Sequence, residues 1–331
     1  MSTSKIASTT YPRRRAVLVA ALAAGLPMAA LAAWPDKPLR MVVPFPPGGA
    51  ADLMARGLAQ HLGTQLGQQV IVDNRGGAGG TLAAEMVARA PADGYTLLFG
   101  TMGTQAINPA LYAKLRYDPL KDFAPVSLTH ITPRVLVVGP SVQVKSVAEL
   151  AALAKAKPKM LTYGSAGNGS SSHLSGALFE NMAGVDMVHV PYKGSAPLLT
   201  DLLAGRVDAT FDSYTVYEEH IRSGRVRALA VTSRSRMGAL PQVPTIAESG
   251  LPGYEVSNWL GLLAPAGTPR DVVMSLHAAT GRAMADAGMK RQLTGLGIET
   301  ANSSPEEFAA LIRAELPKWA RIVKSSGAQV E

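Results

Sequence analysis

The sequence predicts an α/β protein folded as two lobes between which the chain crosses. Strand-like and helix-like patterns alternate along most of its length, as parallel βα units require. The 331 residues, 47% hydrophobic and 17% charged, are enough for more than one packed core. No Pro/Ser-rich tether divides the chain, the pattern expected of two lobes joined by crossing strands rather than strung on a linker.

Residues 1–32 contain Lys5, Arg13, Arg14 and Arg15 and no acid, followed by an apolar run over 16–33. This is a secretory signal pattern, and Ala30-Leu31-Ala32 predicts cleavage after Ala32. Arg14-Arg15 also permits twin-arginine export. A membrane anchor is the alternative, which Gly25 and Pro27 weaken. Trp34-Pro35-Asp36-Lys37-Pro38 then reads as a mature N-terminus, with no stable membrane insertion after cleavage.

In the mature chain, a short strand over 39–45 precedes a helix whose Met54, Leu58, Leu62 and Leu66 recur every four residues. A strand at 70–72, glycines at 76, 77, 79 and 80, a helix facing inward through Leu82, Met86 and Val87, and a strand at 95–99 follow. Ser146 and Glu149 form a capping box for a helix reaching 156. A strand at 160–163 leads to a helix lined by Leu174, Leu178 and Met182 and ended by Gly184. His189 and Val190 mark the next strand, Ser195 an N-cap, and Gly205 a helix end. A strand at 207–211, a helix to 223 and a strand at 228–232 repeat the unit. Thr268-Pro269-Arg270-Asp271 and Ser304-Pro305-Glu306-Glu307 begin helices, the second expected to kink at Pro317.

Removing the four basic residues of the signal leaves 28 Lys+Arg against 24 Asp+Glu, a net +4 in place of +8, which does not indicate nucleic-acid binding. The absence of Cys excludes disulfides, thiol catalysis, Cys-ligated metal and lipid-modified cysteine, and suits a freely soluble periplasmic protein. The six His residues lack metal-site spacing, so no metal and no cofactor is expected.

Three strand-to-helix loops carry chemistry. Pro44-Phe45-Pro46-Pro47-Gly48-Gly49-Ala50-Ala51-Asp52 brings small residues to a helix start, where an anion can approach the backbone; a plain tight connector, with Asp52 orienting it, is the other reading. The loop 164–173, rich in Gly and Ser, offers amides and hydroxyls to a carboxylate, or is a flexible connector. Tyr192-Lys193-Gly194-Ser195 is a third capped turn, with Lys193 able to add charge. The Gly-rich loop 74–80 fails as a nucleotide motif, since Leu82 stands where the dinucleotide pattern needs Gly. His173 reads as structural, and a hydrolase built on Ser170 or Ser171 with His173 lacks a Gly-x-Ser-x-Gly elbow.

Together with Asp93-Gly94-Tyr95-Thr96-Leu97-Leu98, Asn108-Pro109-Ala110-Leu111-Tyr112, Tyr163-Gly164-Ser165-Ala166-Gly167-Asn168-Gly169-Ser170 and His189-Val190-Pro191-Tyr192-Lys193-Gly194-Ser195, the first loop resembles the Bug/TctC family, the periplasmic receptors of tripartite tricarboxylate transporters. The resemblance spans nearly the whole mature chain. It implies a type II periplasmic binding protein, with lobe 1 at 33–133 and 262–331, lobe 2 at 134–261, and crossings near 129–136 and 258–264. It further implies a non-enzymatic receptor that closes on a small di- or tricarboxylate, acidic amino acid or aromatic acid and delivers it to a two-component membrane permease.

By the same resemblance, Phe45, Pro47, Gly48, Gly49, Ala50 and Asp52 face Ser165, Gly167, Asn168, Ser170 and Ser171 as a carboxylate pincer. Thr101, Gly103 and Thr104 form a further wall, with Asp212 on the opposite lobe. Tyr214 and Tyr217, where many relatives carry small residues, either stack on an aromatic acid or fill space. Backbone donors are expected to hold the carboxylate without a buried formal charge. A carboxylate sensor docking on a signalling partner fits the same sequence.

Overall fold

The computed structural model describes residues 34–328, with 1–4 and 7; the signal segment read at 1–32 and its cleavage point lie, apart from those few positions, outside the described residues. β1 (Leu39–Val43) is buried because parallel strands flank it on both sides, β2 (Val70–Asn74) and β3 (Thr96–Thr101). α1 (Ala50–Leu66) turns the expected Met54, Leu58 and Leu62 inward and ends at Gly67, whose φ of +67° lets the chain reverse. α2 (Thr81–Ala88) buries the expected Val87 and packs Met86 on the core, but turns Ala83 and Ala84 inward in place of Leu82. The buried face is the one with small residues, which lets the helix start close to the sheet, and Leu82 is left 54% exposed.

After β3 come a π-helical turn (Gly103–Ile107) and α3 (Asn108–Leu111). β4 (Phe123–Val138) then runs for 16 residues. Beyond it lie α4 (Val147–Ala156), β5 (Thr162–Ser165), α5 (Ser171–Ala183), β6 (Val188–Pro191), α6 (Ser195–Leu203), β7 (Ala209–Ser213), α7 (Tyr214–Arg222) and β8 (Arg227–Val231). The chain finishes with β9 (Ser257–Pro265), α8 (Arg270–Met284), α9 (Ala287–Gly295), β10 (Glu299–Thr300) and α10 (Pro305–Ser326).

One sheet has the order β2-β1-β3-β9-β4-β10, the other β8-β4-β7-β5-β6, so β4 belongs to both. From Phe123 to Pro133 it pairs antiparallel with β9; from Arg134 to Val138 it pairs with β7, and over Val135–Val138 with β8 as well. β9 pairs wholly with first-sheet strands, beginning at Ser257.

Alternation along β4 serves two cores: Val135 and Val137 join a cluster with Leu198, Leu202 and Tyr217, whereas Leu136 and Val138 join the larger core. That larger core is continuous between the sheets, holding Val42 and Leu98 of one and Tyr163 and Phe211 of the other, with Phe308 and Trp319 from α10. These elements form one compact unit, Lys37–Glu331.

Ser304 and Glu307 make the full capping box, through bonds of 3.2 and 2.8 Å. At α4 the Ser146 hydroxyl accepts from Glu149 N–H, but the Glu149 carboxylate reaches Lys145 N–H rather than the cap. Ser195 is the first helical residue and Gly194, at φ +106°, is the cap. Thr268 donates back to the Pro265 carbonyl, leaving Pro269 as the cap of α8. α10 is a single helix through Pro317.

Candidate ligand cleft

A cavity of about 650 Å³ lies where the two sheets meet. Four helices begin on its wall: α1 at Ala50 and Ala51, α5 at Ser171 and Ser172, α6 at Ser195, and α7 at Tyr214 and Thr215. The first N–H groups of a helix have no acceptor inside it and carry partial positive charge, so the wall favours an anionic group. Met54, Ile107, Leu111, Leu260 and Ile298 supply apolar parts of the lining.

The loop ahead of α1 is held from behind by Asp52. Its carboxylate accepts from Gly48 N–H (2.9 Å), Asn74 Nδ2 (2.9 Å) and Arg56 Nε (3.0 Å). The hydrogen bond from Arg56 leads in lowering its pKa to about 2, so it is ionised and orients the loop, the second of its two expected roles. Phe45 and Ala50 reach the cavity wall, while Pro47, Gly48 and Gly49 form the exposed approach to it.

Thr101 and Thr104 bond reciprocally, N–H to hydroxyl, at 3.0 and 3.2 Å. Thr101 and Gly103 line the cavity, and Thr104 is buried behind them.

In the second sheet, Gly167, Asn168, Ser170 and Ser171 line the cavity, and Ser165 braces them from below. Ser165 Oγ bonds Gly167 O (3.0 Å) and His189 Nε2 (2.7 Å). Ser170 Oγ donates to Gly167 O (2.6 Å) and caps α5 by accepting from His173 N–H. His173 Nδ1 accepts from Gly169 N–H (3.1 Å), so its ring serves the loop and makes no bond to a serine hydroxyl. A Ser170–His173 nucleophile pair has no geometric basis. Gly169, at φ +71°, lies so near Leu111 that an added Cβ would stand 2.8 Å from Leu111 Cδ2.

Asp212 lies on the wall as expected, but its partner was missed. Arg134, the residue at which β4 enters the second sheet, places Nη1 2.9 Å from Asp212 Oδ1 and bonds Ser171 Oγ through Nη2. Its signal was present in the sequence: one cation inside the apolar run Val135-Leu136-Val137-Val138 and its flank. Among the described residues, these two carry the only formal charges lining the cavity. Paired with each other, they leave the cavity wall without a net formal charge.

Lys193 is exposed and off the wall. Tyr214 lines the cavity with its ring against Gly297, whereas Tyr217 is fully buried in the smaller core.

The sequence profile of the tripartite tricarboxylate transporter family receptor matches residues 54–328. The chain belongs to this receptor family. A UPF0065 protein from the tcbD-tcbE intergenic region of Pseudomonas sp. strain P51 is 44% identical over 294 residues, 88% of this chain and 87% of the relative. Protein BugT of Bordetella pertussis is 37% identical over 299 residues, covering 90% and 92%. Among solved receptors, R. palustris Rpa4515 with adipate superposes with a TM-score of 0.76 at 41% identity, over 90% of this chain and 100% of that one. MatC of Rhodopseudomonas palustris with bound malate gives 0.72 at 37%, over 88% and 100%. The receptor fold, two α/β halves linked by crossing strands, is thus shared. No helix among the described residues is long and apolar enough to cross a membrane.

Proposed function

We propose that this receptor works in the periplasm, captures a small carboxylate with a hydrocarbon body, and presents it to the two-component permease of its transporter. The observation that carries this reading is the convergence of four helix N-termini on one cavity whose two charged side chains neutralise each other. Adipate and malate in the related receptors agree with it.

The ligand-binding set is the pair of loops around Phe45 to Asp52 and Ser165 to Ser171, the wall of Thr101, Gly103 and Thr104, and Asp212 with Tyr214. The moving bodies are 33–133 with 262–331 and 134–261. β4 changes sheets at the first boundary; the second falls inside β9, whose first-sheet pairing begins at Ser257. Contacts from both bodies to one ligand favour the closed state. The apolar residues of the lining favour an aliphatic chain or ring over a compact, wholly polar acid.

A thermal-shift screen of mono-, di- and tricarboxylates and acidic amino acids tests the capture step. A cognate acid at 100 times its Kd adds about 2.7 kcal/mol of stability and raises Tm visibly. A protein stabilised by sugars or amines and by no carboxylate would overturn the reading. Loss of labelled-acid uptake on deleting the receptor, restored by its gene, tests delivery.

A further inference from the structure

We infer that Arg134 is a positioning residue for the carboxylate site, acting through Ser171. Asp212 fixes the guanidinium, the guanidinium fixes Ser171 Oγ as an acceptor, and the Ser171 proton is left as a donor aimed at the ligand. The inference rests on the carboxylate reading above.

The hydrogen-bond inventory of the three consecutive serines leads to it. Ser170 donates to Gly167 O. Ser172 accepts from Ala166 N–H and shares a proton with Ser170. Ser171 differs: its oxygen accepts from Arg134 Nη2, and arginine cannot accept in return. Among the described residues its hydroxyl proton has no acceptor, and Ser171 lines the cavity at the first turn of α5. A hydroxyl polarised by a guanidinium on one side gives a stronger, shorter bond to a carboxylate on the other.

Asp212 has a matching part. It engages Arg134 through Oδ1 alone, and both its Oδ2 and the Arg134 Nε are buried without a partner among the described residues. The pair is held at one point, leaving the second guanidinium nitrogen for Ser171. Asp212 also cancels the charge, so the site recognises an anion by a directed donor and amides rather than by bulk attraction. Arg134 stands at the change of sheets in β4, so the brace joins the crossing strand, β7 and α5 at one point.

Isothermal titration calorimetry with adipate, malate and the best acid of the screen tests this, on wild type, Ser171→Ala, Arg134→Gln, the double variant and Arg134→Lys. Ser171→Ala and Arg134→Gln should each weaken binding about tenfold, and the double variant no more than the weaker single, because both remove one donor. Arg134→Lys should recover only part of the loss, since an ammonium cannot serve Asp212 and Ser171 with a planar fork. Multiplying losses in the double variant would overturn the inference. Ser171→Ala leaves the ion pair in place and keeps the test open if Arg134→Gln does not fold; wild-type affinity in Ser171→Ala overturns the inference alone. A wild type that binds no carboxylate overturns the underlying reading, and this with it.

Discussion

The imidazoles of His173 and His189 lie face to face, 3.7 Å between centroids and 3° between planes, each bonded into the Ser165–Ser170 loop. An Nδ1 that accepts from Gly169 N–H must be unprotonated. Burial lowers both pKa values to about 4, with the neighbouring ring adding to the effect at His173. Tyr163 stacks on the pair, and Glu180, itself shifted upward by burial, shares with these rings a second cavity apart from the ligand cleft. His130, buried against Phe99, falls to about 3.

In the unfolded chain these rings titrate near 6.5, so above that pH neither state gains protons and stability is flat from this source. Below it the unfolded chain binds protons that the folded one refuses. Stability should therefore fall from about pH 6.5 toward 4, by up to about 1.4 kcal/mol per pH unit for each such proton. Urea unfolding at stepped pH checks this, and a midpoint unchanged between pH 7 and 4.5 would contradict it.

Gly169 packs against the Leu111 side chain on the cavity wall. Gly169→Ala places a methyl 2.8 Å from Leu111 Cδ2 and holds alanine in the left-handed region, at a cost of about 1–2 kcal/mol. Ligand affinity should drop, and Leu111→Ala in the same chain should return part of it. Calorimetry on the three variants measures the recovery; none would mean that the contact does not form in the bound state.

Asp52→Ala removes the acceptor shared by Gly48, Arg56 and Asn74. The loop before α1 should loosen, with stability lower by about 1–3 kcal/mol and carboxylate binding weaker. The native carboxylate contribution, present above the ordinary value of 3.8, should fade as pH drops toward about 2. Hydrogen exchange of residues 45–51 reads the loop directly, and unchanged protection there would refute the bracing role.

Gly261, in the middle of β9, lies under the Phe308 ring, with an added Cβ 2.3 Å from Phe308 Cζ and 2.8 Å from the Ser127 carbonyl. Gly261→Ala should destabilise by about 1–3 kcal/mol or more, since a central strand cannot shift away. Pairing it with Phe308→Leu should relieve the clash. Denaturant midpoints of the three proteins decide it.

What the sequence reveals here is mostly local. The spacing of Met54, Leu58 and Leu62, the Ser304–Glu307 box and the loop-to-helix junctions depend on neighbours in the chain, so pattern reading finds them. The end of β4 resists because Val135–Val138, buried on both faces, has no polar alternation to announce it. Arg134 resists for a different reason: its meaning comes from Asp212, 78 positions away, and from Ser171, 37 away. Of the two readings open for Tyr217, stacking on a ligand or filling space, helix geometry selects the second by turning it into the core.

The position of β9 between β3 and β4 governs the order in which the molecule can be assembled. The first sheet lacks an inner strand until residues 257–265 exist, so its opening strands must wait while the intervening half is made. At synthesis rates of about 5–20 residues per second, that delay is on the order of ten seconds or more. For this long β3 has β1 on one side and no neighbour on the other.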